Sequence, residues 1–297
     1  MPPFRRAVPF AAVLVLFAAV AFADEVSDKQ KQAAQEKLKT AEVGKAAVAE
    51  SAGLIVCGRL PETRLKAIAE ALQKTYKTGR KAVQYEEKEE PWKGKLAVFY
   101  LPERKDFSSF MRLVVGQRPD GTVHIAIRGD EPFVVCGTEL GAKATDAEIT
   151  SELAPLVAGA LLQSKAGPSA NIPGWVRYGF GRAVAARAGG VNGRQFLAYK
   201  SAARAAVLGG GGKPQAPIAD VWGSDRPDGG VLATSLMDFL AFGPGAKSFP
   251  MFVSGLRADE NGNEPAITAV IEGAGWKTPA ELELAWKKWV QAGMPAK

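Results

Sequence analysis

The spacing of apolar residues changes several times along the chain, and each change marks a boundary. Residues 8–20 form an unbroken apolar run, whereas residues 24–50 are rich in Lys, Glu, Gln and Ala and poor in large apolar side chains. That second stretch reads as a solvated helix or a flexible leader. A short buried strand follows over 53–57. Pro61 then opens a helix in which Leu65, Ile68, Ala69, Leu72 and Tyr76 recur at helical spacing, and Gly79 closes it. Leu96 to Tyr100 reads as a second strand, and the segment LPERKDFSSFMR turns from it into another helix. Pro119-Asp120-Gly121 marks a turn, residues 122–128 a strand, Gly129-Asp130 and Pro132 another turn, and residues 133–136 a further strand. Strand, helix, strand, helix is the grammar of an α/β lobe.

Helical spacing dominates from there on. Thr145-Asp146-Ala147-Glu148 fits a capping box, and Ile149, Leu153, Leu156, Val157, Ala160 and Leu161 trace one side of the helix that follows. Ser151 and Pro155 lie four apart and share a different face. Pro155 sits well inside this helix, where a missing amide and a crowded carbonyl cost about 3 kcal/mol or force a kink. Phe196, Tyr199, Ala203 and Val207 outline another helix, and Leu232, Leu236, Phe239 and Leu240 one more. Thr278 caps a last helix with Pro279 at its first position and Glu281 three along, and Trp286 and Trp289 read as its core residues. The glycine run 209–212 before Lys213 and Pro214 is a flexible loop. A phosphate loop would need glycine where Val207 stands and Ser or Thr where Pro214 stands.

Composition narrows the function classes. Arg5 and Arg6, the apolar run and the A-x-A pattern Ala21-Phe22-Ala23 read as an export signal cut before Asp24. An uncleaved anchor is the alternative, although the run is shorter than the ~20 residues a bilayer span needs. Cutting there removes two arginines and no acids, lowering the net charge from +7 to +5 (7 − 2). Lys and Arg are interleaved with acids, which is unlike the basic stripe of a nucleic-acid binder. No later stretch is apolar enough to span a membrane. In an oxidising compartment Cys57 and Cys136, the two cysteines, are expected to form a disulfide; two buried free thiols are the alternative.

His124 is the one histidine in the chain, and it reads as an ordinary strand residue on the side of Thr122, Ala126 and Arg128. One imidazole cannot make an HExxH zinc site, and no G-x-S-x-G elbow accompanies any serine.

Three stretches nevertheless carry a likeness. Ile172-Pro173-Gly174-Trp175-Val176-Arg177-Tyr178-Gly179 resembles the second-helix opening "lPxWlxEGlAxy" of secreted gluzincin-like (peptidase MA-like) zinc metallopeptidases. Arg104 to Phe110 is similar to that family's "drkeFxxF" segment, and Thr278 to Trp289 to its "sleeLexaWxxwv" ending. On this register Ser151 and Pro155 stand where the ligand histidines would be, Tyr178 stands for the ligand glutamate, and Glu152 matches the general base. A catalytic zinc needs three protein ligands and an open position, so the resemblance implies a degenerate member with no metal and no cofactor. On the same register Arg177 and Arg182 would put positive charge near the former cation; ordinary solvated arginines are the other reading.

The expected fold is α+β. Residues 1–23 are the signal and 24–50 the charged leader. A mixed α/β N-terminal lobe (51–144), a central helix pair of the zincin type (145–190) and a helical C-terminal lobe (191–297) follow. The expected function is that of an exported, catalytically inactive protein that binds or scaffolds an extended polypeptide or envelope partner in the former peptide cleft. A hydrolase working without zinc through Glu152 and Tyr178 is the rival reading, and an unrelated α-rich exported protein a third.

Overall fold

The computed structural model describes residues 11–127, 131–138, 140, 143–167, 170, 172–208, 218, 221, 230–256 and 265–295, with side chains from residue 25 onward. The end of the expected strand at Arg128, the glycine run from residue 209 and most of residues 218–229 lie outside that set.

Five short strands form one mixed sheet: β1 (Ala47–Glu50), β2 (Leu54–Gly58), β3 (Leu96–Tyr100), β4 (Val123–Ala126) and β5 (Phe133–Cys136), in the order β1-β2-β3-β5-β4. β2, β3 and β5 run parallel, and the two outer strands pair antiparallel to their neighbours. The central strands read LIVCG, LAVFY and FVVC, nearly continuous apolar runs, because helices cover both faces. The strand period of two assigns their residues to faces. Leu54, Val56, Val98, Tyr100, Val134 and Cys136 face α2 (Glu62–Ala82) and α4 (Asp146–Ala166). Ile55, Cys57, Phe99 and Val135 face α1 (Ala11–Thr40) and α3 (Arg104–Phe110). Each fully buried Leu, Ile or Val contributes about 1.5–3 kcal/mol through water exclusion.

The leader is a helix, but one side of it is not solvated. Ala34, Leu38 and Ala41, at helical spacing, join Val43 under the sheet, and the chain then enters the sheet as β1 at Ala47 rather than at residue 51. Glu50 at the end of β1 accepts hydrogen bonds from Ser27 (2.6 Å) and Lys95 (2.7 Å) and pairs with Lys31 (3.2 Å), tying helix, edge strand and β3 together. Among the described residues no helix is long and apolar enough to cross a membrane.

The expected disulfide is not formed: both cysteines are buried free thiols. Cys57 lies level with Phe99 and Val135, whereas Cys136 pairs with Tyr100, one residue along and therefore on the opposite face. β3 stands between their strands. Two strand spacings of ~4.8 Å separate them, beyond the ~7 Å Cα limit for a bridge.

α4 is the hub. Its capping box is complete: the Glu148 amide donates to Thr145 Oγ1 (3.3 Å) and the Thr145 amide to Glu148 Oε2 (2.7 Å). One flank of α4 packs on the sheet and α2 through Leu153, Val157 and Leu161, and the other joins the C-terminal core through Ala158, Leu162 and Ala166. That second core is built by α5 (Gly174–Ala188), α6 (Arg194–Leu208), α7 (Gly230–Phe242), α8 (Phe249–Gly255), α9 (Ile267–Gly273) and α10 (Pro279–Gln291). Trp286 is completely buried and its indole N–H donates to Ser235 Oγ at 3.0 Å.

Candidate functional site

With both flanks of α4 covered, the strip left open carries Ser151, Glu152 and the half-buried Pro155. Pro155 does not end the helix, which runs unbroken from Asp146 to Ala166. α5 crosses close above it. A Cβ on Gly181 would lie 2.8 and 2.9 Å from the carbonyl carbon and Cα of Pro155, and one on Gly179 would lie 2.8 Å from the Ala233 carbonyl oxygen on α7. The two glycines let three helix backbones approach within distances that any side chain would forbid. This close packing turns Tyr178 and Arg182, four apart on α5, toward the strip on α4.

The result is an open cleft of about 710 Å³. Its walls are Ser151, Glu152 and Pro155 of α4, Tyr178 and Arg182 of α5, the strand ends around Val123 and Thr138, and Gln195, Tyr199, Val231 and Thr234 of α6 and α7. All four positions assigned by register, Ser151, Glu152, Pro155 and Tyr178, line this one cleft. Arg182 lines it as well. Arg177 does not: its stem packs beside Gly159, its guanidinium carbon lies 5.5 Å from the centroid of the Tyr178 ring, and its buried Nε has no hydrogen-bond partner among the described residues.

Cys136 is 2% exposed, and burial, reinforced by the Glu152 carboxylate, pushes its thiol up to about 12. It stays protonated at neutral pH and is a poor nucleophile. Tyr100 beneath it is raised too, by burial first and then by Cys136. Ser151 Oγ receives a hydrogen bond from the Gln195 side-chain amide at 3.5 Å. His124 sits outside the cleft. The expected alternation holds: Val123 and Ile125 pack on the sheet face covered by α2 and α4, and on the opposite face the His124 ring lies 6.0 Å from that of Phe133. Burial, and secondarily Arg177, lowers its pKa, which favours the neutral imidazole.

The donor set does not fit zinc. Ser151 offers a neutral hydroxyl, Pro155 no side-chain donor and Tyr178 a phenol. Among the described residues no three His, Cys, Asp or Glu side chains gather as a metal centre would require.

Beside the cleft lies a network that sequence reasoning missed. Arg187, at the end of α5, makes a two-pronged ion pair with Asp238 of α7, through Nε to Oδ1 and through Nη2 to Oδ2 at 3.1 Å. Both side chains are almost wholly buried, at 4% and 0% exposure. Tyr199 donates to Asp238 Oδ2 at 3.2 Å, so the hydroxyl of this cleft residue is held from behind. The Arg187 guanidinium carbon lies 5.1 and 4.9 Å from the ring centroids of Phe196 and Phe242. Burial raises the Asp238 carboxyl above its usual range against the pull of Arg187, and burial together with Asp238 raises the Tyr199 phenol. Two signals were present in the sequence: Arg187 continues the apolar stripe of Val176, Phe180 and Ala183, and Asp238 interrupts the run LATSLMDFLAF.

No protein-family model matches the chain, no curated protein is significantly similar to it, and no solved structure matches its fold.

Proposed function

We propose that this is an exported, metal-free relative of the gluzincin-like metallopeptidases whose cleft binds an extended polypeptide, in a binding or scaffolding role toward an envelope partner. The observation that carries the reading is the convergence of Ser151, Glu152, Pro155 and Tyr178 on one open cleft bordered by an edge strand. Among the described residues β4 pairs with β5 on one side only, which leaves its other edge open to a further strand, and its first residue, Val123, lines the cleft. An extended chain adds to such an edge through main-chain hydrogen bonds while side chains fill adjoining pockets. Tyr178 provides the large amphipathic surface that anchors such contacts, and Arg182 and Glu152 give both signs of charge.

The rival, hydrolysis without zinc, draws on Glu152 and Tyr178 in the same cleft. One experiment separates the two. The mature protein is titrated into a fluorescently labelled, reduced and alkylated unfolded protein, and the probe is then analysed for cleavage. Binding is expected to saturate, to weaken about tenfold (about 1.4 kcal/mol) in Tyr178→Ala, and to leave the probe intact. Cleavage abolished by Glu152→Gln would favour the hydrolase, and neither binding nor cleavage would sink both readings.

A further inference from the structure

A second cavity of about 430 Å³ opens on the far side of Ser151, between α2, the first half of α4 and the end of α5. It is lined by Ala71, Thr75, Ala147, Thr150, Ala154 and Ala188, among others. Three residues, Ser151, Ala185 and Gln195, line both this cavity and the cleft. The two are therefore halves of one groove crossing the open strip of α4, with a seam at Ser151.

The seam has peptide-like chemistry. Gln195 is exposed, and its carboxamide, which has the same donor and acceptor groups as a peptide unit, reaches Ser151 Oγ at 3.5 Å, the outer limit of a hydrogen bond. Ser151 also carries a carbonyl without its helical donor, because the residue four along is Pro155, which has no amide hydrogen. The stretched Gln195 contact is weak enough to be exchanged for a contact to the incoming chain.

We infer that the bound polypeptide does not end in the cleft but continues over Ser151 into the second cavity, with Gln195 as a displaceable partition that selects occupants able to replace its contact. This rests on the polypeptide-binding reading above. Both cavities fall in the size range of pockets that enclose a ligand group, ~300–1,000 Å³. Apart from Lys74 and Asp146 the far one is lined by small and neutral side chains, suited to uncharged side chains of the occupant.

Site-specific photo-crosslinking tests the path. A benzophenone amino acid replaces Val231 (cleft), Ala71 (far cavity) or Lys288 (exposed on α10), one at a time, in the full mature protein, with the reduced and alkylated unfolded protein as probe. Each variant is first matched to wild type by circular dichroism and thermal melting. Crosslinks are expected from Val231 and Ala71 and not from Lys288. Adding Gln195→Trp, which plugs the seam, is expected to cut the ratio of Ala71 yield to Val231 yield at least fivefold. Crosslinking from Val231 with Ala71 at the Lys288 background would confine the occupant to the cleft and overturn this inference alone. The inference would equally fail if Gln195→Trp left the ratio of Ala71 yield to Val231 yield intact. Background yield from both sites, or a crosslink from Ala71 only, would overturn the polypeptide-in-cleft reading and this inference with it.

Discussion

The Arg187–Asp238 ion pair is buried on both sides, at 4% and 0% side-chain exposure. Asp238→Leu leaves the Arg187 guanidinium in a pocket of Phe196, Phe242 and Trp289 with its carboxylate gone. Arg187 Nη1 already has no hydrogen-bond partner among the described residues, and Asp238 supplies the contacts to its Nε and Nη2. Removing one member of a buried pair costs about 3–5 kcal/mol, chiefly because the other charge stays desolvated. Against a total of about 5–15 kcal/mol for a folded domain, that is a large share. Arg187→Met alone leaves Asp238 buried with, among the described residues, the Tyr199 hydroxyl as its remaining donor, and is expected to cost a similar amount. The double variant removes both charges and is expected to be more stable than either single variant, giving a coupling of several kcal/mol. Equilibrium urea denaturation followed by tryptophan fluorescence measures all four proteins. If the double variant cost the sum of the two singles, or Asp238→Leu cost under about 1 kcal/mol, the argument from desolvation would be wrong.

Three further outcomes follow from other contacts. Gly181→Ala forces a Cβ against the Pro155 carbonyl, a backbone group that cannot rotate away, so it is expected to destabilise by about 1–3 kcal/mol in the same urea assay. Burial alone would raise the Glu50 pKa, but hydrogen bonds from Lys95, Ser27 and Lys31 outweigh it and hold it down at about 2. A depressed carboxylate stabilises the fold above its unfolded pKa of ~4.3 and loses that effect as pH falls toward 2. Glu50→Gln is therefore expected to lower stability by roughly 1 kcal/mol at pH 7, given partial screening, with the difference vanishing near pH 2 in urea melts taken across that range. Finally, a thiol reagent is expected to react slowly with the native protein and with both Cys57 and Cys136 once it is denatured without reductant. Denatured protein that offers no thiols would show that the cysteines bond after all.

The strands and helices that were legible carry one clean period or one continuous apolar run. Leu65, Ile68, Leu72 and Tyr76 report a helix facing the sheet, and the runs ending in Cys57 and Cys136 report central strands. Partnership across the sheet was not legible. That Cys57 and Cys136 lie on opposite faces follows from strand order and register, neither of which leaves a mark in the sequence. The packing of α1 was missed for a related reason. Its buried stripe, and the turn after it, use alanines, Ala34 and Ala41, whose small side chains barely register as apolar yet fit close under the sheet. The gathering of Ser151, Glu152, Pro155 and Tyr178 came from motif register. Gln195, Tyr199 and Val231 complete the cleft from segments whose local pattern says only helix.

The motif register itself can be put to the test by restoring what it says is missing. If the likeness to the gluzincin-like family is one of structure, Ser151→His, Pro155→His and Tyr178→Glu together should assemble a zinc site. Positions 151 and 155 share a helical face four residues apart, and 178 enters the same cleft from α5. Pro155→His also returns the amide that the helix lacks, so the change at the hub favours folding. Gly181 already gives the backbone of residue 155 the room it has now, and a histidine there projects into the cleft rather than toward α5. The triple variant is expected to retain about one zinc per chain after dialysis, measured by elemental mass spectrometry, where wild type and each single variant retain none above background. Glu152 would then stand beside a metal-bound water, so hydrolysis of an unfolded protein that disappears in Glu152→Gln is the stronger form of the same outcome. A triple variant that keeps the wild-type circular dichroism and binds no zinc would mean that the three positions converge on the cleft without the ligand geometry. The likeness in sequence would then be to the helices alone, and the cleft would have to be understood without reference to a lost metal.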